Sequence, residues 1–338
     1  MPVAHVYSDL KVLGFPDHLA ALAAGRVPAP VHVRIKPINH CNHNCWYCAY
    51  RASNLQLGEH MDEADSIPAA KMTEIVDDLI AIGVKAVTFS GGGEPTLYKP
   101  LPDCVRRLAA GGIKVAALTN GSNLKGAFAA AFAEYGTWVR VSVDAWDDDS
   151  YARARGVNPG SFSKLLANMR AFAATGTVCT LGVSFIDACA AFKAASAAHV
   201  KISGAVVAND GHANNLYHRQ IVAARDLEDD GFQIVDHYHE RSERFDKPYR
   251  NCPFPRFLTV IGADCGVYAC QDKAYTEAGR LGSLRTRRFR EFWFSDENRE
   301  RLAGIDPATA CRHHCVADAK NRAILELLGM EPEHVAFV

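Results

Sequence analysis

The sequence predicts an α/β fold: an open, partial (β/α)6 barrel over residues 31–240 and a small α+β unit over residues 245–330, after a lead-in of residues 1–30. Three observations carry this expectation. Short apolar runs of strand length alternate with stretches of helical periodicity, the order expected when each strand of a parallel sheet is followed by a crossover helix. Six such units fit before residue 240, too few for a closed eight-unit barrel. From Cys252 onward the pattern changes to a short hairpin, two helices and five cysteines.

The lead-in holds a helical stretch, residues 17–24, closed by Gly25 and followed by Pro28 and Pro30. The first strand, residues 31–36, alternates Val31, Val33 and Ile35 with His32, Arg34 and Lys36, so one face meets helices and the other a polar cavity. Arg34 and Lys36 are therefore candidates for substrate contact, with a rim ion pair as the plainer alternative. A helix follows at 69–82, begun after Pro68 and stopped by Gly83. The apolar run 84–89 ends in Ser90-Gly91-Gly92-Gly93-Glu94-Pro95. Strands at 113–118, 138–143, 177–185 and 200–202 alternate with helices at 101–110, 125–134, 161–174 and 188–198.

Ligand groups in such folds gather at the C-terminal ends of the strands. Those ends carry Gly91, Gly92, Gly93 and Glu94 on the second strand, Thr119, Asn120 and Gly121 on the third, and Ser142 and Asp144 on the fourth. Glycines let a backbone approach a ligand closely. Asn120-Gly121 and the run Asp147-Asp148-Asp149 are also ordinary turn signals, so Thr119 and Asn120 stand evenly between function and turn. Beyond the fifth helix, Lys201 and the polar loop 208–215, with Asn209 and Asp210, can hydrogen-bond a hydroxylated ligand. The histidine-rich piece 236–240 lacks a matching ligand pair and reads as a linker.

Composition excludes several classes of partner. Hydrophobic content of 49% and charged content of 22% are ordinary for a globular chain. A net charge of −1 gives no basic surface for nucleic acid or membrane, and no run approaches the ~20 apolar residues of a membrane helix. The expected partner is a small molecule and the expected location is the cytoplasm.

Eleven cysteines are present, eight of them in two groups. Cys41, Cys45 and Cys48 stand in C-x3-C-x2-C spacing on the loop that leaves the first strand. Thiolates are the usual ligands of iron-sulfur clusters, and three from one tight loop can hold a cubane whose fourth iron stays open. Zinc in a structural site wants four protein ligands, and a compact triplet in an intracellular chain argues against disulfides. Cys104, Cys179 and Cys189 lie among apolar residues and read as core thiols.

The triplet, with Tyr47 just before its third cysteine, resembles the signature loop of the radical S-adenosylmethionine (radical SAM) enzymes, whose fold is a TIM-like partial barrel. The resemblance implies a [4Fe-4S] cluster that binds SAM at its open iron and, once reduced, cleaves it to methionine and a 5'-deoxyadenosyl radical. Gly92-Gly93-Glu94 matches the motif whose backbone meets the SAM amino group. Ser142 and Asp144, with Thr119 and Asn120, then become candidates for SAM binding, together with Tyr47 and Gly91. An external one-electron donor of flavodoxin or ferredoxin type is also implied.

The tail adds to this. Cys252 precedes a hairpin at 257–261 and 267–270, Cys270 ends it, and Cys311 and Cys315 precede a last helix at 317–328, after a helix at 289–303. The order resembles the twitch domain, the shortened SPASM domain, in which four cysteines fully ligate an auxiliary [4Fe-4S] cluster. Zinc fits the spacing nearly as well, with His313 or His314 able to replace a thiolate. Cys265 falls in the hairpin turn and is either a spare thiol, a further ligand or a hydrogen-atom donor.

The resulting expectation is a radical SAM oxidoreductase acting on a small hydroxylated substrate such as a sugar, cyclitol, nucleoside or nucleotide-sugar. Epimerisation, decarboxylation, C–C bond formation and peptide modification are the alternatives within the family. A zinc-stabilised α/β binding protein is the alternative outside it.

Overall fold

The computed structural model describes residues 8–51, 58–184, 246–311, 315–331, 333, 334 and 337. The expected helix 188–198, the strand 200–202, the loop with Lys201, Asn209 and Asp210, the linker 236–240, Cys189, His313 and His314 lie outside the described residues.

A lead-in helix α1 (Pro16–Ala23) precedes five parallel strands: β1 (His32–Ile35), β2 (Ala86–Phe89), β3 (Lys114–Thr119), β4 (Gly136–Ser142) and β5 (Thr180–Ser184). Between them run α2 (Ala69–Ala81), α3 (Leu101–Ala110), α4 (Gly126–Tyr135), α5 (Asp148–Arg155) and α6 (Ser161–Ala173). This mostly parallel α/β arrangement is the predicted partial barrel fold.

The pleat sorts the strand side chains. Val33, Ile35, Val87, Phe89, Val115, Ala117, Val139, Val141 and Val183 are buried in one core with Met72, Ile75, Leu79, Val105, Leu108, Phe132 and Leu165 of the helices. Their neighbours along each strand, among them His32, Arg34, Thr88 and Arg140, face the other way, into the concave side.

The C-terminal hairpin continues the same sheet. Strand β6 (Leu258–Ile261) pairs in parallel with β1, then β7 (Gly266–Tyr268) and β8 (Arg280–Ser283) add antiparallel strands, giving the order β5-β4-β3-β2-β1-β6-β7-β8. The cysteine-rich unit is thus built on the open edge of the barrel. Helices α7 (Phe289–Trp293), α8 (Asp296–Ala303), α9 (Pro307–Ala310) and α10 (Asp318–Leu328) follow among the described residues.

Two expectations are corrected. Residues 147–149 open a helix instead of a bare turn: Asp147 is the N-cap of α5, its side chain accepts from the Ser150 N–H at 2.7 Å, and the Ser150 hydroxyl receives the Asp147 N–H at 3.1 Å. The single helix expected at 289–303 is two, because the Ser295 hydroxyl takes the Asn298 N–H at 3.3 Å and starts α8 afresh. Among the described residues no helix is long and apolar enough to cross a membrane.

Candidate active site

Two asparagines fix the cysteine loop. Buried Asn39 donates to the Asp62 carbonyl at 2.8 Å and accepts from the Tyr275 hydroxyl at 2.6 Å, tying the chain after β1 to the hairpin side. Asn42, inside the triplet, accepts from the Asn120 amide at 2.8 Å and donates to the Ser122 hydroxyl at 2.9 Å, tying it to the end of β3.

The glycine loop packs against the same segment. Gly93 N–H donates to the Ile38 carbonyl at 3.2 Å and Glu94 N–H to the His40 carbonyl at 3.0 Å. A Cβ on Gly93 would collide with the carbonyls of Asn39 and His40, and one on Gly92 would strike the Asn39 side chain. The close approach that these glycines permit is therefore, first, one between two protein loops. Gly91 offers its carbonyl to the Lys36 ammonium at 3.0 Å.

Glu94 is the hub between β2 and β3. Its carboxylate accepts from the Thr119 hydroxyl at 2.6 Å, the Asn120 N–H at 2.7 Å and the Thr96 N–H at 3.1 Å. Burial pushes its pKa up while these donors oppose the rise. Thr119 and Asn120 thus act as donors to a buried carboxylate as well as standing at a strand end.

On the β4 side the chain builds a charged anchor. Tyr47 donates its hydroxyl to Asp144 at 3.0 Å, and Arg155, at the end of α5, forms an ion pair with the same carboxylate. Arg155 also points Nη1 at the Cys45 sulfur, 3.5 Å away, and its carbonyl receives the Asn44 N–H at 2.8 Å. The Asp144 carboxylate holds the Arg155 pKa above its ordinary value despite burial. Asp144 itself has φ of 51°, an uncommon left-handed conformation for a residue other than glycine. His43, between Cys41 and Cys45, is buried beside Arg155, which together bring its pKa down to about 4 and keep it neutral. Ser142 ends β4 opposite Ser184 of β5.

Cys41, Cys45 and Cys48 are free, half-buried thiols. Burial raises the Cys41 pKa, while the His43 N–H, 3.4 Å from its sulfur, lowers it. Donors already aimed at the Cys41 and Cys45 sulfurs suit thiolates, so this loop fits the three-thiolate ligation of a cluster.

The four tail cysteines share one electrostatic neighbourhood. Cys252 lies within electrostatic reach of Cys311 and Cys315, and Cys270 within reach of Cys252 and Cys315. Burial and these neighbours push Cys252 up to about 12 and Cys315 to about 11. Thiols so reluctant to ionise become thiolates when a metal centre supplies the opposing charge. The Asn321 amide donates to the Cys252 sulfur at 3.2 Å and accepts the Phe254 N–H at 2.9 Å. Four thiols are the donor type that an iron-sulfur cluster takes. Among the described residues, no three His, Cys, Asp or Glu side chains are gathered closely enough to hold a single metal ion.

Lys36 and Tyr50 join the two cysteine sites. Buried Lys36 donates to the Tyr50 hydroxyl at 2.6 Å, and Gln271, next to Cys270, donates to the same oxygen at 2.5 Å. Burial and Arg34 push the Lys36 pKa well down, against Asp272 and Cys48. Cys265 falls elsewhere: it is buried in the main core, at φ of 61° in the hairpin turn, with Asp264, Arg285 and Lys71 as its charged neighbours. Arg155, Tyr50, Asn39 and Asn321 escaped the sequence reading. Only Asn42, inside the triplet, stood where its position could have flagged it.

Residues 35–187 match the family model of the Radical SAM superfamily, a span that contains the cysteine triplet, the glycine loop, Glu94 and Asp144. This segment carries the radical SAM domain. An S-adenosylmethionine-dependent nucleotide dehydratase of Lacinutrix mariniflava is 31% identical over 110 residues, 32% of this chain and 22% of that protein. A GTP 3',8-cyclase of Xanthomonas campestris is 31% identical over 159 residues, 46% of each chain. The chain thus spans less than half the length of these curated relatives. Streptococcus suis SuiB, solved with its precursor peptide SuiA, shares the fold with a TM-score of 0.62 at 16% identity, covering 87% of this chain and 72% of SuiB. The anSMEcpe structure with bound AdoMet gives 0.57 at 15% identity, covering 88% and 96%.

Proposed function

We propose that this radical SAM protein takes a hydrogen atom from an unactivated carbon of a small hydroxylated substrate, nucleoside or nucleotide in type, and that its net reaction is a dehydrogenation. The observation that carries this is the pinning of the Cys41–Cys48 loop, by Glu94, Asn120 and Arg155, onto the C-terminal ends of β2, β3 and β4. Cys41, Cys45 and Cys48 would hold a [4Fe-4S] cluster, which would supply the electron that cleaves SAM to methionine and the 5'-deoxyadenosyl radical. Tyr47, Gly91 to Gly93, Glu94, Thr119, Asn120, Ser142 and Asp144 surround the place that SAM would take. Their work is orientation and exclusion of water, because a primary carbon radical reacts with whatever lies nearest.

Cys252, Cys270, Cys311 and Cys315, the core of a unit at 245–330, would hold a second [4Fe-4S] cluster that offers an electron acceptor at the barrel's edge. Cys265, buried in the main core, is left as a packing thiol, which disfavours epimerisation through it. The identity to the dehydratase and the cyclase supports a second outcome, water elimination or ring closure on a nucleotide.

The test is anaerobic reconstitution followed by iron and sulfide analysis, SAM cleavage with dithionite, and product masses from a panel of nucleosides, nucleotides and sugars. About eight irons, falling to about four in a Cys41/Cys45/Cys48→Ala variant, is expected. A product two mass units lighter than its substrate supports dehydrogenation; loss of water or an isomeric ring supports the second outcome. Zinc in the tail site with only about four irons would remove the auxiliary cluster, and negligible iron would overturn the whole reading.

A further inference from the structure

Strands β1 to β5 contain no aspartate or glutamate, yet Arg34 and Arg140 stand on the side of the sheet opposite the helices, with Lys36 just beyond β1. Ile35, Phe89, Ala117, Val139 and Leu181 form one row across the sheet, so Lys36 and Arg140 share the next level up, three strands apart. That is about 14 Å along a flat sheet and less across a curved one.

Lys36 is already engaged by Tyr50 and Gly91, and Asp272 balances part of its field. Arg140 differs. Its Nε is buried and, among the described residues, meets no acceptor. A guanidinium carries five donors in a rigid fork, and leaving a buried one such as this Nε–H without an acceptor is unfavourable. Across β4 and β5 the partner of Arg140 is Gly182, whose lack of a side chain leaves the guanidinium no cross-strand acceptor there. One pleat below, on the same face, is Trp138, and one pleat above is Ser142.

We infer that Arg140 anchors an anionic group of the substrate, a phosphate, on the concave face of the sheet. The inference rests on the proposed reading of this site as the reaction chamber and names the charge its substrate must carry. Arg140 is fitted to this because a guanidinium pairs with phosphate oxygens in two parallel hydrogen bonds. The Trp138 indole, on the same face one pleat below, offers an aromatic face to a base.

The experiment is calorimetric titration of the full-length, anaerobically reconstituted protein, with SAM present, using GTP, guanosine and gluconate as probes. GTP binds at least tenfold more tightly than guanosine. Arg140→Gln lowers the GTP affinity roughly ten- to hundredfold, as expected for loss of charge-assisted hydrogen bonds, and Arg140→Lys recovers part of it. Circular dichroism and iron content of both variants establish that they are folded. Gluconate binding that falls with Arg140→Gln, without GTP binding, keeps the anion site and assigns it to a carboxylate. Guanosine binding as tightly as GTP, unchanged GTP affinity in a folded Arg140→Gln, or no binding of any probe overturns the inference. Iron content and SAM cleavage of the wild type judge the enzymatic reading separately.

Discussion

Arg155 and Asp144 form an ion pair whose side chains are only 7% and 5% exposed, and the same guanidinium reaches the Cys45 sulfur. Arg155→Ala should therefore destabilise the protein by about 3–5 kcal/mol, since it strands a buried carboxylate. Asp144→Ala combined with Arg155→Ala should cost less than the sum of the two single changes, by chemical denaturation. His32 makes the second residue-scale case. It shares a 2.8 Å hydrogen bond with the Thr88 hydroxyl, and burial, then Arg34, bring its pKa from 6.5 down to about 3. Between these values the unfolded chain binds a proton that the folded chain refuses. Stability from this group is present above pH 6.5 and falls as pH drops toward 3, by on the order of a few kcal/mol. The difference in urea midpoint between pH 7 and pH 5 should be smaller for His32→Gln than for the wild type; equal differences would contradict the assignment.

At the scale of elements, α5 shows how a local signal positions the site. Asp147 and Ser150 cap its start, and Arg155 with Gly156 closes it against the cysteine loop. Asp147→Ala should cost about 1 kcal/mol, the usual value of an N-cap, as read from the thermal midpoint. Gly156→Ala should cost more and also lower the iron retained after reconstitution. Gly156 has φ of 60°, and a Cβ there would meet the Asn44 carbonyl at 2.5 Å, displacing the segment between Cys41 and Cys45. Full iron retention in that variant would show that α5 does not set the loop.

Across the whole molecule, the tail unit and the barrel share one sheet. Strand β6 pairs with β1 in full register, and Phe289, Phe292 and Trp293 are buried in the same core as the barrel helices. Asp78 on α2, fully buried, is bound by Arg288 at 2.7 Å and Arg290 at 3.5 Å. A chain ending at residue 245 should then expose the β1 edge and elute as aggregate without a cooperative thermal transition. A monomeric, cooperatively melting fragment would show that the two units fold apart.

The amino-acid order alone was enough for the alternation of strands and helices, because period-two and period-3.6 apolar patterns are local properties. Helix α3, 101–110, was legible to the residue, with Pro100 before it and Gly111 after it. The triplet and glycine loop were legible as motifs because their spacing is short, and they pointed to the radical SAM superfamily. Helix α5 was hidden by aspartates that serve turns and N-caps equally. Arg155, Tyr50, Asn39 and Asn321 were invisible because each acts on a partner distant in sequence: Arg155 is 110 residues from Cys45 and Asn321 is 69 from Cys252. What the sequence by itself determined is the chemistry carried within one loop and the order of the elements. Which side chains meet across loops, the joining of the tail to β1, and the exposure of Arg140 to the concave face were decided only by the tertiary structure, because those contacts depend on strand register and chain closure.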